Sequence, residues 1–161
     1  MPARAARLTD PVAEPRTRAV QDLHRATGSL STTAMARMDD EMPWFRELSA
    51  EDRSWVGVIV QAGIKSFIDW YAEESRHPDL DGSAVASAVF GAAPRALAGV
   101  INLQQTVDLV RLGIEVVESN LDDLLGPEDA RDVHAGVLRY GREVAFATAE
   151  VYARAAEVRG A

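Results

Sequence analysis

NLQQTVDLVRLGIEVVESNLDDLL, residues 102–125, decides the fold class. Leu103, Val107, Val110, Ile114, Val117, Leu121 and Leu124 recur at intervals of three and four, which predicts one apolar seam along an α-helix. Leu109 and Val116 flank that seam, with Thr106 and Gly113 between them, so the apolar arc is wide enough to meet two neighbours. Gly113 is expected to let one of them come close. Asp108, Glu115 and Asp122 mark the solvated side, where Arg111 is within helical reach of Asp108 and Glu115. Asn102 is the expected N-cap, with Gln105 at the reciprocal position.

The same logic extends in both directions. Towards the C-terminus, Gly126 and Pro127 break the helix, and Glu128 and Asp129 open another at about 127–159. One stripe of that long helix is Val133, Val137, Tyr140, Val144, Ala147 and Val151. A second is Leu138, Gly141, Ala145, Thr148, Tyr152 and Ala155. A single core needs only one, so the second is either a subunit interface or the wide face of a well-buried helix. The chain stops while this helix is still amphipathic, which suggests a piece of a longer protein.

Towards the N-terminus, Ser49 caps a helix expected to reach about Arg76, with Glu51 and Asp52 in its first turn. Val56, Val60, Ile64, Phe67 and Tyr71 form its seam, widened by Trp55, Ile59, Ile68 and Trp70. Before it, Val20, Leu23, Thr27, Leu30, Ala34 and Met38 predict a helix from about Thr17 to Met42, with a bend or break where Gly28 and Ser29–Thr33 weaken it. Pro43 stops it, and Trp44, Phe45 and Leu48 form an apolar connector. Short helices are expected at Ser83–Phe90 and from Pro94 to about Val100. Residues 1–15, with Pro2, Pro11 and Pro15 and no apolar period, read as a disordered arm, leaving 16–161 as one domain. No strand-length alternation of β-branched residues occurs, so the domain is expected to be all-α.

Composition narrows the class. Hydrophobic residues make up 47% and charged residues 26% of the 161, and no apolar run approaches the roughly 20 residues that cross a bilayer. The chain lacks cysteine and a signal-peptide pattern, which points to the cytoplasm. The net charge of −8, against a locally basic start at Arg4, Arg7, Arg16, Arg18 and Arg25, leaves the remainder acidic and poorly suited to a phosphate backbone.

Sites of chemistry are sparse. Glu74 and His77 have the Glu-x-x-His spacing of di-iron bundles, but that chemistry needs the motif twice, and neither His24 nor His134 has an acid three residues before it. His134 alone on a polar helix face is a poor haem ligand. Gly82, Gly91 and Gly99 lack phosphate-loop spacing, and no nucleophile-elbow pattern surrounds a serine. No catalytic residue, metal or cofactor is therefore expected, and the chain is not expected to be an enzyme. The aromatic set of Trp55, Phe67 and Trp70, with Tyr71, is either core or the wall of a ligand pocket. Gln104 and Gln105 share the first turn of the central helix, and since Gln105 has a capping role, Gln104 is the less explained of the two. Gln61, Lys65 and Asp69 read as a solvated row with a Lys–Asp pair.

ARMDDEMPWFRELSAEDRSWVGVIVQAGIKSFIDW (36–70) resembles the N-terminal region of actinobacterial PucR-type transcriptional regulators, especially those associated with fatty acid synthase genes. VFGAAPRAL (89–97), LQQTVDLVR (103–111) and YGREVAFATAEVYARAAEVRGA (140–161) share that resemblance, in the same order. The region is similar in turn to the sensor domain of RsbR-type stressosome proteins, which implies a globin-like fold without haem, and usually a dimer. In such regulators a middle domain and a DNA-binding helix-turn-helix follow. The resemblance thus implies a sensory and dimerisation domain that does not itself contact nucleic acid or membrane. It carries no catalytic or ligand motif.

Three expectations result. The fold is a globin-like helical bundle around a central buried helix. A small hydrophobic or acyl ligand would lie by Trp55, Phe67, Trp70 or Gln104, and a homodimer would form through Leu138, Gly141, Ala145, Thr148 and Tyr152. The alternative is a stressosome-like interaction scaffold with no small-molecule ligand and a filled core.

Overall fold

The structure is a computed structural model and describes residues 13–74 and 99–160. Among the described residues there are five helices and no strand: α1 (Ala13–Glu41), α2 (Pro43–Glu47), α3 (Ala50–Glu74), α4 (Leu103–Leu124) and α5 (Pro127–Gly160). The all-α expectation holds, as a helical bundle. The arm before residue 13, the helices expected at 83–90 and from residue 94, and His77 and Phe90 lie outside the described residues.

The helix that touches every other is α1. It packs along α3 and α4 and also meets α2 and α5, while α4 packs mainly on α1 and α5. Ala19, Leu23, Ala26, Leu30, Ala34 and Met38 are its buried face, a spacing of three and four that gives one continuous stripe. The helix begins at Ala13, before the expected Thr17, and is unbroken for 29 residues. A break at Gly28–Thr33 is absent. The hydroxyls that weaken helix propensity there are turned back onto the helix: Thr27, Ser31 and Thr32 donate to the carbonyls of Leu23, Thr27 and Gly28. Packing of Leu30 and Ala34 on the bundle overrides their local preference.

Pro43 ends α1 and also starts α2, where its missing N–H costs nothing. Phe45 anchors this connector in the core. Ser49 caps α3 as expected, its Oγ accepting from the Asp52 amide at 3.1 Å. Val56, Val60, Ile64, Phe67 and Tyr71 are all buried. Trp55 is the exception: it is 45% exposed, off the edge of the stripe. Asn102 and Gln105 close a complete capping box at the start of α4.

The wide arc of α4 does meet two neighbours, α1 and α5, but its most buried line is not the expected seam. Thr106, Leu109, Leu112 and Val116 are buried, together with Val117 and Leu121 lower down. Leu103 is exposed and Val107, Val110 and Ile114 are half-buried. Regular spacing located the arc correctly and its centre about a quarter-turn away; α4 packs on α1 as well as on α5, and α1 is invisible in the local pattern. Nor does Gly113 admit a neighbour, since a Cβ built there meets nothing within 4 Å. On the solvated face Glu115 takes Arg37 of α1 at 3.0 Å, and Asp108 accepts from Gln104 at 3.0 Å.

Candidate functional site: an apolar cleft between α3, α4 and α5

The half-buried edge of α4 faces a cleft. Val110, Gly113 and Ile114 form one wall, Ile59, Gly63, Ile64 and Phe67 of α3 a second, and Val137, Tyr140, Gly141 and Val144 of α5 the third. The cavity measures about 90 Å³ and is open on one side. Its lining is apolar apart from two hydroxyls, and both are occupied. Thr106 donates to the Asn102 carbonyl at 3.0 Å and pairs with the Tyr152 hydroxyl at 2.7 Å. Tyr140 pairs with Ser66 at 2.9 Å in the buried core, and burial raises the Tyr140 pKa. No charged side chain lines the cleft.

Of the four expected ligand residues, Phe67 alone lines this cleft. Trp55 points outward. Trp70 is buried, packs with Phe67 and Tyr140 at ring-centroid distances of 6.3 and 5.3 Å, and does not line the cavity. Gln104 is exposed and engaged with Asp108. The other three thus stand outside the cleft, which is lined mainly by aliphatic residues and glycines. Gly63 and Gly113 were the available signal: glycine within a helix disfavours it by roughly 0.5–1 kcal/mol relative to alanine.

The five residues expected at a dimer interface divide. Leu138 is 59% exposed and Ala145 is exposed. Gly141 instead faces α4, where its added Cβ would lie 3.0 Å from Ile114 Cδ1. Thr148 is buried, its hydroxyl bonded to the Val144 carbonyl, and half-buried Tyr152 reaches Thr106. Thr148 therefore belongs to the buried face of α5, with Gly141 and Tyr152 at its border. Leu138, Ala145 and the exposed Phe146 remain on its outside.

A charged cluster unforeseen in the sequence ties three helices together at the other end of the aromatic layer. Arg16 of α1 lies 4.1 Å over the Tyr71 ring and 3.3 Å from both Glu74 and Asp132. Arg139 of α5 also pairs with Glu74, and the Tyr71 hydroxyl donates to Asp132. Burial first, and the Asp132 carboxylate second, outweigh Arg16 and push the Tyr71 pKa up to about 12. Glu74 is thus committed to structural ion pairs. The remaining described histidines are surface partners, His24 with Asp69 and His134 with Glu118, each at 3.6 Å. His24 takes the place expected for Lys65 beside Asp69.

No family model matches the chain. Uncharacterized proteins of Mycobacterium bovis and Mycobacterium tuberculosis are similar to it, each 35% identical over 139 residues, or 86% of the chain. The chain spans about a third of the length of these relatives, 32%.

Proposed function

We propose that this chain is the sensory and dimerisation domain of a cytoplasmic PucR-like transcriptional regulator and has no enzymatic activity of its own. The observation that carries the sensory part is the apolar cleft, because its walls come from α3, α4 and α5 at once. Occupancy by a small hydrophobic or acyl ligand would be felt directly by the long α5. A ligand changes such a protein only if it binds two arrangements of α4 and α5 with different affinity. Support for the regulator part comes from the resemblance of the stretches at 36–70, 89–97, 103–111 and 140–161. The length of the mycobacterial relatives, which leaves room for further domains, agrees with it. An acidic surface with net charge −8 fits a domain that leaves DNA contact to another part of the protein.

The whole gene product, tagged in its own cells, should occupy a discrete set of promoters in an immunoprecipitation experiment. Absence of any promoter occupancy would sink the regulator reading. The rival scaffold reading draws on Leu138, Phe146 and Val158, large apolar residues left exposed along α5. It requires assembly without ligand.

A further inference from the structure

We infer that the cleft between α3, α4 and α5 binds an uncharged hydrocarbon moiety by shape alone, and that Gly63 and Gly113 are the residues that keep it open. The inference rests on the sensory reading for its biological use and narrows the ligand of that reading to one held by its uncharged hydrocarbon part alone.

Two observations carry it. The first concerns what the glycines do. Gly57 lies against the Met35 sulfur, Gly136 against the Tyr71 ring and Gly141 against Ile114, so each of these answers to a close approach between helices. Gly63 and Gly113 answer to none, as a Cβ at either would meet nothing within 4 Å. Both lie within their helices, where alanine would be the more stable choice, and both line the cleft. Their missing side chains maintain empty space.

The second is the polarity of that space. Thr106 has given its proton to the Asn102 carbonyl and accepts from Tyr152, while Tyr140 is paired with Ser66. A carboxylate, phosphate or ammonium drawn into the cleft would be desolvated with no partner. Water entering an apolar cleft finds no hydrogen-bond partner there, so an apolar guest that displaces it gains affinity. At about 90 Å³ it is smaller than the roughly 150 Å³ cavity that accepts benzene, and it is open on one side. A small apolar molecule or the terminal carbons of a chain fit, with any charged group of that ligand left in water.

Methyl NMR on the folded protein tests this, with n-alkanols from butanol to octanol, the matching alkanoates and toluene as probes. The Ile59, Ile64 and Ile114 δ1 methyls line the cleft, and those of Ile68 and Ile101, buried elsewhere, serve as controls. Expected are saturable shifts confined to the first three, with affinity for alkanols rising about four-fold per added methylene until the cavity is full. Alkanoates should bind no tighter than alkanols of equal length. Saturation by toluene would identify a free small molecule as the guest, and the chain-length series an inserted chain end; either sustains the inference.

Gly113→Leu should abolish the shifts, and Gly28→Ala, in open space on α1, should leave them unchanged. Should Gly113→Leu not fold, Gly113→Ala must weaken binding. Shifts spread equally over all five methyls, no saturation, or a ten-fold preference for alkanoate would overturn the inference. Promoter occupancy is independent of every one of these outcomes, so the ligand class can fail while the regulator reading stands.

Discussion

Tyr71 shows how much one side chain can join. Its ring lies under Arg16 and its hydroxyl bonds to Asp132, so α1, α3 and α5 meet on it. Because its pKa rises to about 12 in the fold, the native state holds a proton that the unfolded chain releases near pH 10. The Tyr71 contribution to stability is therefore constant below pH 10 and falls between 10 and 12, at up to about 1.4 kcal/mol per pH unit. Urea unfolding midpoints of the wild type should drop over that window more steeply than those of Tyr71→Phe. Equal slopes would remove Tyr71 as the source. None of this cluster was legible beforehand. Arg16 read only as one charge of the basic start of the chain, and its partners lie in distant segments, so no local spacing could reveal them. The Ser66–Tyr140 pair escaped for the same reason.

At the scale of single helices the sequence was far more readable. Caps act within four residues, and both Ser49 and the Asn102–Gln105 box appear where side-chain chemistry places them. Asn102→Ala should cost about 1 kcal/mol, lowering the melting temperature by about 2–4 °C, and Asn102→Ser should recover most of it. A melting temperature unmoved by the alanine would mean that water caps α4 equally well. Periodicity did worse at centring a stripe. In α4 it gave the right arc but not its centre. In α1, local propensity predicted a bend or break at Gly28–Thr33, and packing on the bundle carries the helix through it without a break.

For the whole molecule, the split of the second α5 stripe gives a sharp contrast. Thr148 is only 3% exposed, so Thr148→Glu buries a charge and should unfold the domain rather than separate subunits. Ala145→Glu lies on the outer face beside Leu138 and Phe146 and should stay folded. If α5 is the dimer contact, sedimentation should show a dimer for the wild type and a monomer for Ala145→Glu. Identical masses would move the contact elsewhere. The all-α architecture was readable because helical period is a local property. The cleft was not, because it exists only where three helices fail to fill the space between them.

The position of α1 has a kinetic consequence. Its ion-pair partners lie far along the chain: Glu74 is 58 positions beyond Arg16, and Glu115 is 78 beyond Arg37. Leu23, Leu30 and Met38 therefore stay uncovered during synthesis until α3 and α4 have been made. A helical protein built this way closes through distant contacts, and distant contacts slow folding. Refolding should be slower than for a bundle whose successive helices pack in order, and the half-made chain presents a hydrophobic ridge to chaperones.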